Sequence, residues 1–178
     1  FIWNDFCDWY IEMTKEKLNN GTDEEKDATK NILGYVLDQT LKLIHPIMPF
    51  VTEKLWQAMP HDGQSIMVAD YPVEHVELAN QKAEGEMEDL IELIKAVRNI
   101  RNQAGAPMSS PVKMMIKVDD QAHAAVFNEN RDYLDRFCHP SDLTIATEVD
   151  VPKLAMSGIL AGATVYIPMA ELVDLDEE

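Results

Sequence analysis

The sequence predicts a mainly α-helical protein, an antiparallel helix bundle followed by a small α/β module. Apolar residues recur at helical spacing in four successive segments up to residue 103. The connections between these segments are short, which is typical of antiparallel bundles. After Gly105-Ala106-Pro107 the pattern changes to the alternation that strands show. With 178 residues, 46% of them hydrophobic, the chain is long enough to bury a core.

The first two predicted helices are separated by a glycine turn. The first, residues 2–18, is rich in aromatic residues, and Gly21 is predicted to end it as a left-handed C-cap. Glu25 lies three residues after Thr22, so the second helix is predicted to begin at a capping box. Pro46 is predicted to end it, because the residue before a proline is disfavoured in the α region. Its predicted core positions are Ile32, Leu33, Val36, Leu37, Thr40, Leu41 and Ile44.

The third and fourth helices are predicted at residues 49–59 and 78–103. Pro49 suits a first helical turn, where its missing N–H is not required. We expect Phe50 to pack into the bundle, and residues 65–68 could pair as a short strand. The predicted apolar stripes are Val51, Leu55 and Trp56 on the third helix, and Met87, Leu90, Ile91, Ile94, Val97 and Ile100 on the fourth.

The remaining residues alternate between strand and helix patterns. Strands are predicted at 112–118, 143–147 and 164–167, with a helix at 122–137. We therefore assign the bundle to residues 1–107 and the α/β module to residues 108–170.

Composition limits the possible functions. The net charge of −17 argues against RNA binding, because nucleic-acid-binding domains are usually basic. No apolar run approaches the roughly 20 residues that span a bilayer. Cys7 and Cys138 form no C-x-x-C pair, which indicates neither a zinc site nor a disulfide framework. A reducing, cytoplasmic setting and no membrane partner are therefore expected.

Motifs for catalysis are missing from the sequence. It contains no G-x-S-x-G elbow, no phosphate-binding G-x-x-x-x-G-K-[ST] loop, no G-x-G-x-x-G and no H-E-x-x-H. We predict no catalytic residue, no metal site and no cofactor bound by these 178 residues.

The aromatic first helix supports two interpretations. In one, Ile2, Phe6, Trp9 and Met13 fill the core while Trp3 and Tyr10 pack on neighbouring helices. In the other, Trp3, Asn4 or Tyr10 faces a groove where unstacked bases stack and are hydrogen-bonded.

The end of the fourth helix gathers cations within two turns. Lys95, Arg98 and Arg101 recur every third residue, beside Asn99 and Asn102. They either complement the helix C-terminus or form a phosphate clamp in an otherwise acidic protein.

At these residues the sequence resembles valyl-tRNA synthetases. FCDWYIEMTK, LIHPIMPFVTEKLWQAM, SIMVADYP and AVRNIRNQAGAP stand here in the order found in that family of class I aminoacyl-tRNA synthetases. GATVYIP followed by LVDL is similar to the stretch that leads into the family's C-terminal coiled-coil arm, so residues 171–178 are predicted to begin that arm.

The resemblance implies a binding role. The family joins valine to its tRNA with ATP and Mg²⁺ in a catalytic domain and hydrolyses mischarged threonine in an editing domain. The class I signatures HIGH and KMSKS are absent here, and Phe1 begins within a helical pattern, so we expect a piece of a longer protein that is truncated on its N-terminal side. The implied role is binding of the anticodon stem-loop, with valine tRNA and the remaining domains of the same polypeptide as partners. A monomer is expected.

The residues nominated for RNA contact combine both groups. Carboxylates and amides can read base edges, whereas cations place the backbone. The residues nominated for RNA contact are Trp3, Asn4, Asp8 and Glu12 on the first helix, with Lys95, Arg98, Arg101 and Asn102 on the fourth. The alternatives are the same region of an isoleucyl-type synthetase, a helical protein-interaction module without RNA binding, and a small hydrolase, which the missing motifs disfavour.

Overall fold

The chain divides into two compact units, Phe1–Leu78 and Ala79–Glu178. A computed structural model describes residues 1–172. The predicted fold class is confirmed, since helices dominate and a small sheet follows them. The boundary predicted at residue 107 differs from this division, because the fourth helix packs against the sheet and the helices that follow it in the sequence.

The first unit is helical. A π-helical segment, Ile2–Tyr10, continues into α1 (Ile11–Asn20), and α2 (Asp23–Ile44) and α3 (Pro49–Trp56) follow, with 3-10 turns at Ile66–Val68 and Val76–Leu78. The first predicted helix therefore has the expected extent but a wider first half. There the bonds run from residue i+5 to residue i, as from the Phe6 N–H to the Phe1 carbonyl at 3.1 Å.

The turn between α1 and α2 confirms the capping box and corrects the role of Gly21. The Thr22 hydroxyl accepts from the Glu25 N–H at 3.3 Å, and the Glu25 carboxylate accepts from the Thr22 N–H at 2.8 Å. Gly21 has φ −68°, so the predicted left-handed cap is wrong. Glycine is needed there for another reason, because a Cβ would lie 2.4 Å from the Lys17 carbonyl oxygen.

A small core joins α2 to α3. Leu41, Trp56 and Ile66 are buried together. The Trp56 indole Nε1–H donates to the Asp38 carboxylate at 2.7 Å, and its ring lies 4.0 Å from that of His61.

The outer side of α3 differs from the prediction. Thr52 and Trp56, four residues apart, form its buried face, whereas Val51 and Leu55 are exposed. Phe50 is 90% exposed, so the prediction that it packs into the bundle is wrong. Residues 65–68 form no strand, because Ile66–Val68 makes a 3-10 turn whose Met67 N–H donates to the Ser65 hydroxyl at 3.2 Å.

The second unit begins with α4 (Gln81–Ala104). Asn80 caps its start by accepting from the Ala83 N–H at 3.1 Å, and Gly105 ends it at φ 70°. The predicted stripe is largely confirmed, although Met87 is exposed. Its buried members are Leu90, Ile94, Val97 and Ile100, joined by Leu93.

The sheet of the second unit is mixed. Its strands in the described part of the chain are β1 (Val112–Val118), β2 (Pro140–Ala146), β3 (Ala155–Leu160) and β4 (Ala163–Pro168), in the order β2-β1-β4-β3. β1 runs parallel to β2, with Ile116 opposite Ile145, and antiparallel to β4. The sequence predicted β1, β2 and β4 but missed β3.

Close packing explains a glycine in β3. A Cβ on Gly158 would lie 3.0 Å from the Ala96 Cβ and 3.5 Å from the Ile100 Cδ1, so α4 crosses the strand at this position. This approach places the last turns of α4 firmly against the sheet.

The helix predicted at 122–137 is two helices, α5 (Gln121–Glu129) and α6 (Arg131–Cys138), that meet at Asn130. Both lie in the connection between β1 and β2, and α6 contacts α4. Of the predicted arm at 171–178, Glu171 ends a 3-10 turn and Leu172 is buried, while residues 173–178 lie outside the described residues. Within the described residues, no helix combines the length and apolarity that a bilayer span requires.

Candidate nucleic-acid interface

The first nominated group belongs to the first unit and faces solvent. Trp3 is 76% exposed, and Asn4 and Asp8 are also exposed. Glu12 is half-buried and forms an ion pair with Lys15. An exposed indole beside an amide and a carboxylate can stack on a base and hydrogen-bond to its edge.

The other aromatic residues of this segment support its fold. Phe6, Trp9 and Met13 are buried, which confirms the core interpretation for them. The centre of the Phe6 ring lies 6.3 Å from that of Phe1 and 5.8 Å from that of Tyr10. Because Tyr10 is half-buried and stacked on Phe6, Trp3 is the better candidate for base stacking.

The second nominated group divides along α4 of the second unit. Lys95, Arg98 and Asn102 are exposed and lie at i, i+3 and i+7, on one face of the helix. Arg101 is different, since its side chain has no exposed surface.

Arg101 binds backbone carbonyls inside the second unit. Its guanidinium donates to the carbonyl oxygens of Pro107 at 2.9 Å, Ser110 at 2.6 Å and Cys138 at 2.5 Å. Burial lowers the pKa of Arg101 from its usual value, an effect that the nearby Cys138 partly offsets. The prediction that Arg101 holds an RNA phosphate is at odds with this arrangement, because the guanidinium is buried and already donates to the protein's own carbonyl oxygens.

The cysteine beside Arg101 is not suited to nucleophilic chemistry. Burial raises the pKa of the Cys138 thiol to about 12, despite the opposing influence of Arg101 and Arg98. A thiol with so high a pKa stays protonated at neutral pH and is inert.

Sequence reasoning missed that Arg98 and Arg136 both lie near the Phe137 ring. The Arg98 Cζ is 5.7 Å from the centre of the Phe137 ring, and the Arg136 Cζ is 5.6 Å from the same centre. Arg98 belongs to α4 and Arg136 to α6, 38 residues later, so no local spacing brings them together. Only the packing of α6 on α4 does so.

A second polar cluster in this unit is explained by structure alone. His123 lies with its Nδ1 2.9 Å from Asp120 and its Nε2 3.9 Å from Asp89. Asp120 caps α5, and the backbone hydrogen bond from His123 lowers the pKa of that carboxyl. The ring also fills the space beside Gly162, where a Cβ would meet it at 2.4 Å. Over the residues the structure describes, no group of three His, Cys, Asp or Glu side chains is arranged to hold a metal ion.

Comparison with known protein families identifies the family to which the chain belongs. A family model described as the anticodon-binding domain of tRNA ligases matches residues 1–116. The chain therefore belongs to the family of tRNA-ligase anticodon-binding domains. The match includes the π-helical segment, α1 to α4 and the start of β1, and it ends before α6.

The individual proteins that the chain resembles all belong to one kind of tRNA ligase. The chain is 58% identical along its whole length to the valine–tRNA ligase of Lactiplantibacillus plantarum. It is 56% identical to that of Latilactobacillus sakei and 50% identical to that of Bacillus cereus. In each case it corresponds to 20% of the relative's length, so the chain spans about a fifth of the curated relatives it matches. The whole chain is thus homologous to one segment of valine–tRNA ligases.

Proposed function

We propose that this chain binds the anticodon stem-loop of valine tRNA within a longer valine–tRNA ligase. The observation that carries this proposal is that residues 1–116 match an anticodon-binding domain and that the exposed residues Trp3, Asn4 and Asp8 lie within the matched range. Whole-length identity to valine–tRNA ligases favours the valyl over the isoleucyl interpretation.

Chemistry on valine is assigned to other segments of that longer protein. The relatives are ligases, whose reaction in the resembled family uses ATP and Mg²⁺, but the HIGH and KMSKS signatures are absent from this sequence. We therefore assign no catalytic step to the residues of this chain. Their role is to hold and orient RNA.

Charge determines how such binding must work. At −17, the chain repels RNA at long range, yet this repulsion is screened beyond roughly 8–10 Å at physiological salt. Recognition therefore depends on short-range contacts. Base stacking on an exposed aromatic residue contributes about 1–3 kcal/mol per base and requires no net positive charge.

The experiment is fluorescence anisotropy of the 178-residue chain with valine tRNA and with the same tRNA carrying an altered anticodon, at two salt concentrations. We expect weaker binding to the altered tRNA. Trp3→Ala should weaken binding to the unaltered tRNA about 5- to 100-fold. Phe50→Ala is the matched control, because it removes another exposed aromatic residue of the same unit. Equal binding to both tRNAs would show that the chain contacts the RNA backbone and does not recognise the anticodon bases.

A specific observation favours a second candidate, a module that binds protein. The corner between α2 and α3 exposes a series of large apolar side chains, which is typical of surfaces that contact another protein or domain. They are Leu43, Ile47, Met48, Phe50, Val51 and Leu55. The remaining segments of the longer polypeptide are the partner we propose for them. Absence of tRNA binding even at low salt would leave this as the main role.

A further inference from the structure

The sheet of the second unit has two different faces. The helices α4 and α5 pack against one of them, and α6 in turn packs on these two helices. Gly158 of β3 belongs to this covered face, because a Cβ there would lie 3.0 Å from a side chain of α4, and Ile116 of β1 is in register with it across β4. Side chains alternate along a strand, so Lys113, Met115 and Lys117 of β1 point to the opposite side. These three residues and the positions in register with them on the other strands are here called the open face.

The open face differs in charge from the rest of the chain. Its charged residues are Lys113, Lys117 and Asp142, whereas the whole chain has 15 Lys and Arg against 32 Asp and Glu. Lys113 forms an ion pair with Asp142 at 3.3 Å. The acidic residue nearest to Lys117 in sequence is Asp119, which lies beyond the end of β1. The open face therefore carries an excess of positive charge on an acidic protein.

An aromatic residue lies near the centre of the open face. Tyr166 belongs to β4, one of the two central strands, and is half-buried. It lies opposite Met115 on one side and opposite Ser157 on the other. Lys117 lies opposite Thr164, so Lys117 and Tyr166 are diagonal neighbours, roughly 7–8 Å apart. A tyrosine offers both a ring face for stacking and a hydroxyl for hydrogen bonding.

The composition of the open face favours RNA over a protein partner. Interfaces between proteins are depleted in Lys and Ser, whereas this face exposes Lys113, Lys117, Thr144 and Ser157. Cations and hydroxyls are typical contacts to the phosphates and sugars of a nucleic acid. Some RNA-binding modules stack unpaired bases on aromatic residues of a four-stranded sheet.

We propose that the open face binds an unpaired segment of tRNA, with a base stacked on Tyr166 and a phosphate contacted by Lys117. This inference rests on the proposed tRNA-binding function and adds a second contact to it. Lys117 and Tyr166 follow residue 116, where the match to the anticodon-binding family ends. RNA contact therefore extends from the matched residues to the sheet of the second unit.

The test measures tRNA binding by the 178-residue chain over a range of salt concentrations. Lys117→Gln should lower the salt slope, log K against log salt, by about 0.7–1 unit, because one phosphate contact is lost. Tyr166→Ala should weaken binding about 5- to 100-fold, whereas Tyr166→Phe keeps the ring and should retain most of the affinity. Lys82→Gln is the matched control, because it removes an exposed cation of the same unit from α4, on the covered side of the sheet.

Folding is checked by the melting temperature of each variant. If Tyr166→Ala lowers it, Lys117→Gln decides alone, since Lys117 is exposed. A Lys117→Gln slope equal to that of Lys82→Gln, or a fully folded Tyr166→Ala that binds like wild type, would overturn the open face as an RNA site and leave the proposed function intact. Absence of wild-type binding at low salt would overturn both.

Discussion

The Arg101 guanidinium donates through Nη2 to the Cys138 carbonyl oxygen at 2.5 Å, joining the last turn of α4 to the end of α6. The same side chain holds the loop before β1 through the Pro107 and Ser110 carbonyls. Three backbone acceptors, two in this loop and one at the end of α6, thus depend on one buried cation. Its Nε lies buried without a partner among the described residues, so the site already contains one unsatisfied donor.

Arg101→Ala is expected to lower the free energy of unfolding by roughly 2–4 kcal/mol, because it removes hydrogen bonds from a charged group and leaves the buried Cys138 carbonyl unsatisfied, at a cost of about 1–3 kcal/mol. Arg101→Lys should recover little, since an ammonium cannot reproduce the planar fork. Urea unfolding measures both. Arg98→Ala, on the exposed face of α4, is the control and should change stability by less than about 1 kcal/mol. Equal losses for both variants would contradict the structural role of Arg101.

Trp9 and Trp3 should behave oppositely although they lie six residues apart. Trp9 is 7% exposed, so Trp9→Ala should cost about 3–5 kcal/mol of stability. Trp3 is 76% exposed, so Trp3→Ala should change stability by less than about 0.5 kcal/mol while weakening tRNA binding. Thermal melting and anisotropy of the two variants separate these effects. A wild-type melting temperature for Trp9→Ala would show that its ring is not part of the core.

Several local signals predicted the local structure correctly, although the left-handed cap at Gly21 and the strand at residues 65–68 were wrong. The Thr22 capping box, the end of α2 near Pro46 and the stripe of α4 each depend on residues within a few positions of one another. Arg101 was interpreted by its charge and its spacing from Arg98, yet it also follows Ile94 and Val97 at i+7 and i+4. Those positions belong to the buried stripe, so the sequence did contain a signal for its burial.

Other features depend on tertiary contacts that spacing cannot show. Arg98 and Arg136 lie near the same Phe137 ring only because α6 packs on α4. Phe50 was predicted in the core because it is large and apolar, but the buried face of α3 is set by Thr52 and Trp56. Thr52 gains its place through polar contacts, as its hydroxyl hydrogen-bonds to the His45 ring at 2.7 Å. A hydrophobicity pattern does not detect such a position.

Phe50 and Leu41 provide a direct test of which apolar residues stabilise the first unit. Phe50 is 90% exposed and Leu41 is 3% exposed. Leu41→Ala should cost about 2–5 kcal/mol because it empties part of the core around Trp56. Phe50→Ala should cost less than about 0.5 kcal/mol. Chemical denaturation of the two variants measures the difference, and a loss of several kcal/mol for Phe50→Ala would place its ring in contact with the core after all.

Asp38 should make the first unit sensitive to acid. Burial acts to raise the pKa of Asp38, but the hydrogen bonds from Lys42 and Trp56 outweigh it, so the pKa lies below its usual value. A carboxyl whose pKa is lower in the folded state contributes stability above its unfolded pKa of about 3.9, and that contribution is lost as pH falls through the folded value. Asp38→Asn should therefore cost about 1–3 kcal/mol at pH 7 and progressively less below about pH 4.

The measurement compares urea unfolding of wild type and Asp38→Asn between pH 7 and pH 3, so that acid effects shared by both proteins cancel. Asp27→Asn is the matched control on the same helix, since its ion pair with Lys30 is exposed and exposed pairs contribute little. Its difference from wild type should stay near zero throughout. An Asp38→Asn difference that is the same at both ends of this pH range would show that the negative charge of Asp38 does not stabilise the Trp56 contact. A difference near zero at every pH would show that the neutral amide serves the indole N–H as well as the carboxylate does.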